Sequence, residues 1–166
     1  MKGTHIVSLI FGSVVLLVTL ASAQGQTPGT QNAALEQKIE DLKGDIEFIG
    51  EGEGLIEPLN QLGVAYMDLG QYDKAAEACQ RALKLSEKVH GKQHPVVAMS
   101  LNNLAHVLDH QGKYTQAEAM HREALAMAKK LLGTEHPDVA ASLNNLASVL
   151  GEQDKYAEAE AMHRKA

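Results

Sequence analysis

The residues best equipped for chemistry in this 166-residue chain are its histidines. His106 and His110 stand four apart, which on a helix sets two imidazoles one turn apart on one face, the spacing of metal-binding helices. A catalytic zinc helix of this type also carries a glutamate directly after the first histidine, and Val107 stands there instead. A metal needs a third and often a fourth ligand, for which Asp68 and Asp109 are the nearest candidates. The pair is not repeated where its surroundings are, since Val64 and Asp68, then Ser148 and Glu152, hold the corresponding places. Two solvated histidines are therefore expected, with no metal and no cofactor. Ser100 and Ser142 recur beside apolar positions without a base and an orienting partner, so they do not form a nucleophilic site. His121 and His163 take the place that Cys79 takes earlier, and buried packing is expected for all three. The carboxylates are scattered over polar helix faces, so enzymatic activity is not expected.

The elements that must position these residues follow from a repeat. Tyr72, Tyr114 and Tyr156 are spaced by 42 residues, as are Asn60, Asn102 and Asn144. Residues 95–124 and 137–166 are identical at 21 of 30 positions, and a fixed period in the range of about 20–50 residues marks a stacked array of repeats. Each unit reads as two helices. Val97, Leu101, Leu104, Ala105 and Leu108 form one stripe of a 3.6-residue helix. The Gln111-Gly112-Lys113 segment interrupts it, and Tyr114 opens a second helix with Ala117, Met120, His121, Ala124, Leu125 and Ala128 inward. Gly91 and Gly133 are placed to close second helices in a left-handed conformation. Pro95 and Pro137 suit a first helical position, and Asp138 meets the positive end of its helix dipole. His94 and His136 are expected to bond locally to the helix starts. The three tyrosines are expected to pack between units.

Leu104, Ala105, Leu108, Gly112, Tyr114, Ala117, Ala124 and Leu125 resemble the tetratricopeptide signature of large and small residues. The 42-residue period, the LNNLA phrase at residues 101–105 and the LGTEHPDVA phrase at residues 132–140 are similar to the longer kinesin-light-chain-like subtype. The resemblance covers residues 59–166 and implies an all-α fold, a right-handed superhelical solenoid of antiparallel helix pairs. Units are expected at residues 55–94, 95–136 and 137–166. The first is the least regular, with Gln61 for Asn103 and Asn145 and Gly63 for Ala105 and Ala147. Such repeats serve many unrelated roles, so the resemblance speaks to fold far more than to function.

Outside the array, Lys2, an apolar run over residues 6–20 and Ala21-Ser22-Ala23 read as a secretory signal peptide cut after Ala23. Export to a periplasm or an extracellular space is the expectation, with an uncleaved membrane anchor as the competing reading. The leader holds one lysine and no carboxylate, so its loss moves the net charge from -6 to -7. That balance argues against nucleic acid, which needs clustered cations. A single cysteine excludes an internal disulfide, and two Phe, four Tyr and no Trp supply little stacking surface. Residues 24–32 read as a flexible linker. Leu35, Ile39, Leu42, Ile46 and Ile49 step as a two-heptad seam, too short for a coiled coil and read as a capping helix over residues 33–50. The last helix is expected to continue past Ala166 by analogy with its predecessor, which suggests a longer array.

In the fold that the resemblance implies, first helices line a concave groove. The arc facing away from the stripe holds Met99, Asn102, His106, Asp109 and His110, with Asn103 at its edge. Asn60, Val64 and Asp68 match it in the first unit, and Asn144, Asn145, Ser148 and Glu152 in the third. Asn60, Asn102 and Asn144 are expected to form an amide ladder able to hold an extended peptide. The plainer alternative is that these asparagines are solvated or bond neighbouring helices. Asp68, Asp109 and Glu152 favour a basic or neutral ligand. A peptide-binding scaffold is thus the leading expectation, ahead of self-association through an uncapped third unit and of a regulatory arm for an enzyme or signalling domain.

Overall fold

The computed structural model describes residues 28–166. The expected leader and residues 24–27 of the expected linker lie outside them. The chain divides into residues 1–36 and residues 37–166, and the second unit holds the repeats.

Helix α1 spans Pro28–Ile49. It begins inside the segment expected to be a linker, because nothing after Gly29 breaks the run of Gln31, Asn32, Ala33 and Ala34. A 3-10 turn at Glu53–Leu55 leads into the first helix pair, α2 (Ile56–Asp68) and α3 (Tyr72–His90). The second pair is α4 (Pro95–His110) and α5 (Tyr114–Leu132). The third is α6 (Pro137–Glu152) and α7 (Tyr156–His163). Among the described residues there is no strand, and no helix is long and apolar enough to cross a membrane.

Residue size sets the packing. Val97, Leu101, Leu104, Ala105 and Leu108 are all buried on α4, and Ala117, His121, Ala124, Leu125 and Ala128 on α5. Alanines let paired helices approach while leucines fill the seams. On α1, Ile39 and Leu42 are buried in the cluster that contains Leu62, Ala65 and Tyr66 of α2, and Ile46 packs against it. This stretch of α1 covers the first repeat.

The repeat boundaries are built from local chemistry. His94 Nδ1 accepts from Val96 N at 3.3 Å and His136 Nδ1 from Asp138 N at 3.2 Å, so each histidine caps the helix whose first residue is the following proline. Each satisfies an amide that the helix cannot. Gly91 and Gly133 do close their helices at positive φ, but their ψ values of 169° and 162° place them outside the expected left-handed helical region. They occupy the mirror-extended region open almost only to glycine.

Candidate functional site

The face built by the first helices α2, α4 and α6 carries the residues expected in the groove. Its polar side chains are more committed than the repeat pattern suggested. Asn60 is 3% exposed, donates through Nδ2 to Ser100 Oγ at 3.2 Å and accepts from Asn103 Nδ2 at 3.2 Å. Asn102 Nδ2 donates to Ser142 Oγ at 3.3 Å, and its Oδ1 accepts from His121 Nδ1 at 3.0 Å. Asn144 is exposed, and its Oδ1 accepts from His163 Nδ1 at 3.0 Å. The expected open amide ladder is corrected accordingly. Asn60 is sealed between repeats, and Asn102 ties its own second helix to the first helix of the next unit. Each first helix lies against its successor with polar atoms at the seam, and buried polar atoms take partners wherever they are offered.

What stays open on this face is a pair of adjoining recesses. One, of about 350 Å³, is bordered by Met99, Asn102, Asn103, Asp138, Ala141 and Ser142. The other, of about 140 Å³, is bordered by Val64, Met67, Asn103, His106 and Val107 and reaches Cys79. Asn103 belongs to both. Val64 and Met99 are 36% and 39% exposed, so each recess has an apolar side chain open at its border. The structure thus brings Val64, Met99, Asn102, Asn103 and His106 together. Asp109, half-buried, lies one turn beyond His106 on α4. Burial, and then the nearby Glu152 carboxylate, push its carboxyl above the usual carboxylate range, while His110 and His106 pull it back. Its Oδ1 is buried without a hydrogen-bond partner. Asn145 is half-buried, while Asp68, His110, Ser148 and Glu152 are exposed.

The two α4 histidines turn to different neighbours. His106 meets the edge of the His121 ring at a centroid distance of 5.3 Å, and His110 stacks on Tyr72 at 5.5 Å. Among the described residues no three His, Cys, Asp or Glu side chains are placed to hold a metal. His121 is 1% exposed, and its burial, with His106 beside it, lowers its pKa from 6.5 to about 4. Cys79 is fully buried, which pushes its thiol up to about 11. His163 departs from the expectation of burial, and Tyr156, 67% exposed, departs from packing between units. No helix of the described residues stacks on them as α4 stacks on Tyr72.

A second polar cluster was not anticipated. Glu118 on α5 accepts from Lys155 Nζ at 2.7 Å, Arg122 Nε at 2.8 Å and Gln153 Nε2 at 2.9 Å, and these donors hold its carboxyl down at about 2. It ties the second repeat to the turn inside the third. Its counterpart is Ala76 in the first repeat and Glu160 in the third, so the period repeats the Glu118–Arg122 pair as Glu160–Arg164, while the tie to Gln153 and Lys155 comes from the contact between repeats.

The tetratricopeptide repeat model matches residues 55–130 and again residues 97–166. The chain belongs to the tetratricopeptide repeat family. No curated protein matches it. Among solved structures, it is similar to BtubC (BKLC) from P. vanneervenii, at 22% identity and a TM-score of 0.64 over 84% of this chain and 72% of that one. It is also similar to a Podosopora anserina chain of the kinesin light chain type with nearly identical TPR-like repeats. That match has 19% identity and a TM-score of 0.67 over 92% of this chain and 80% of the other. A singly substituted form of the same protein aligns at 20% identity with a TM-score of 0.70 over the same shares. At these identities the likeness concerns the fold. Tetratricopeptide repeats are generally non-catalytic and generally bind proteins or peptides.

Proposed function

We propose that this tetratricopeptide chain is a non-catalytic scaffold that binds an extended segment of a partner protein along its first-helix face. The observation that carries this reading is the pair of recesses joined at Asn103, where exposed Val64 and Met99 sit among amide and imidazole groups. An extended strand suits two shallow sites in line, because alternate side chains enter pockets while the backbone meets polar groups between them. The leader-like residues 1–23 support an exported protein that meets its partner outside the cytoplasm.

The test is partner capture from extracytoplasmic extract with the chain beginning at Gln24, beside Val64→Lys and Met99→Lys variants. Glu123→Lys, an exposed change on the second helix α5, serves as control. Both groove variants are expected to lose a partner that the control retains. Retention by all forms, at equal helical content, would place the binding surface elsewhere. Sequencing the N-terminus of the exported protein tests the leader, and Gln24 is the expected first residue.

A further inference from the structure

The larger recess is shaped by two positions at which the third repeat departs from the second. Ala141 stands where Met99 stands one period earlier, and Asp138 where Val96 stands. Both border the recess of about 350 Å³ between α4 and α6. Ala141 ends at its Cβ, so space that a methionine would enter stays open. The volume corresponds to on the order of ten waters at about 30 Å³ each, which admits a long side chain.

The walls are apolar and the charge at them is of one sign. Ala98 and Met99 of α4 and Ala128 and Leu132 of α5 border the recess with apolar atoms, and Asp138 is the one ionisable residue that does so. The Asp138 side chain is 69% exposed, so a group lying in the recess can reach it from solvent. No lysine or arginine of the described residues pairs with it. His136 Nδ1 lies 3.6 Å from its carboxylate but already accepts from the Asp138 backbone N–H, so that nitrogen offers no proton. The amide of Asn102 and the hydroxyl of Ser142 are bonded to each other.

Resting on the groove reading above, we infer that this recess takes a lysine or arginine side chain of the bound segment, its aliphatic stem against Met99, Ala98 and Leu132 and its cationic head on Asp138. Long basic side chains favour such a place, because their methylenes cover apolar surface while the head stays wet. Asp138 precedes Ala141 by three residues and Ser142 by four, so the three share one face of α6. The carboxylate therefore lies about one turn, roughly 5.4 Å, from the opening that Ala141 leaves. A flexible four-carbon stem spans that distance. A leucine would gain the apolar wall alone, and a glutamate would meet a like charge.

The test is selection of a displayed library of random linear peptides on the chain beginning at Gln24. Enriched peptides are then measured against Ala141→Met, Asp138→Asn, Val64→Lys, Met99→Lys and the Glu123→Lys control. Ala141→Met places in the third repeat the residue that the second already carries, and helical content separates lost folding from lost binding. The expected result is enrichment of Lys or Arg at one position and a loss of at least about tenfold on Ala141→Met, as the stem leaves its wall. Replacing that cation by norleucine, which keeps the stem, is expected to lower affinity about three- to fivefold, the range of an exposed ion pair. On Asp138→Asn the lysine and norleucine peptides are expected to bind alike. Peptides lost on Val64→Lys or Met99→Lys that carry no cation, ignore Ala141→Met, or keep their lysine preference on Asp138→Asn would overturn this inference and leave the groove standing. Peptides that survive both lysine variants, or a selection that enriches nothing, would remove the groove and this inference together.

Discussion

Gly63 and Cys79 share one site: a Cβ built on residue 63 would collide with the Cys79 Sγ. The second repeat solves the same helix contact with Ala105 and His121, and the third with Ala147 and His163. The thiol sits where a methyl group sits elsewhere, so the two residues form one packing decision.

That coupling is measurable by urea unfolding. Gly63→Ala alone is expected to cost about 1–3 kcal/mol through overpacking, despite the better helix propensity of alanine. In a Cys79→Ala background the collision is gone, and the same change is expected to become neutral or stabilising by up to about 1 kcal/mol. Additive effects in the double variant would show that the two side chains do not meet.

His121 makes stability depend on pH in a definite direction. Its folded pKa of about 4 lies below the ordinary value of 6.5, so between these values the unfolded chain takes up a proton that the folded chain refuses. Its contribution is complete above pH 6.5 and falls as the pH drops towards 4, by about 3 kcal/mol at one unit per 1.36 kcal/mol. His121→Gln keeps a donor for Asn102 and is expected to flatten this part of the stability profile. An unchanged slope in that variant would assign the acid sensitivity to other groups.

Glu118 acts at the opposite end of the scale. Its folded pKa of about 2 lies below the ordinary 4.5, so its stabilisation is present above pH 4.5 and is lost as the pH falls through 2. Lys155 and Arg122 are 40% and 46% exposed, and solvent screening reduces the net effect. Glu118→Gln at neutral pH is therefore expected to cost only about 1–2 kcal/mol. Amide exchange reads it best, since the turn at Gln153 to Lys155 and the start of α7 are expected to lose protection before the first repeat does. Uniform loss across the repeats would contradict a local clamp.

Asp154 stands at φ 60°, where Gly70 and Gly112 stand at φ 70° and 71° in the earlier repeats. A residue with a Cβ pays for that conformation, aspartate less than most. Its Oδ1 accepts from Tyr156 at 2.7 Å, but both groups are exposed and the bond recovers little. Asp154→Gly is expected to stabilise by about 0.5 kcal/mol and to raise Tm by about 2 °C. A lower Tm would mean that the tyrosine bond outweighs the backbone strain.

Much of the molecule was legible because its signals are local and repeated. The apolar stripe from Val97 to Leu108 needs only helical geometry, and the caps at His94 and His136 need only the next two residues. The 42-residue period then implies stacking, since one amphipathic pair cannot bury its own face. The sequence alone therefore determined the helix pairs, their order and which face of each turns inward.

Only the tertiary structure decided what the residues on the seams do. Asn60, Asn102 and Asn144 are equivalent by spacing, yet one is sealed, one half-buried and one exposed, because each environment is supplied by the neighbouring helix. Tyr156 and His163 repeat Tyr114 and His121 in type but not in burial for the same reason. The small recess likewise depends on the length of a side chain on another helix, Cys79 instead of histidine. Periodicity specifies the intrinsic geometry of a repeat; burial, hydrogen bonding and open volume belong to the contact between repeats, which exists only once they are stacked.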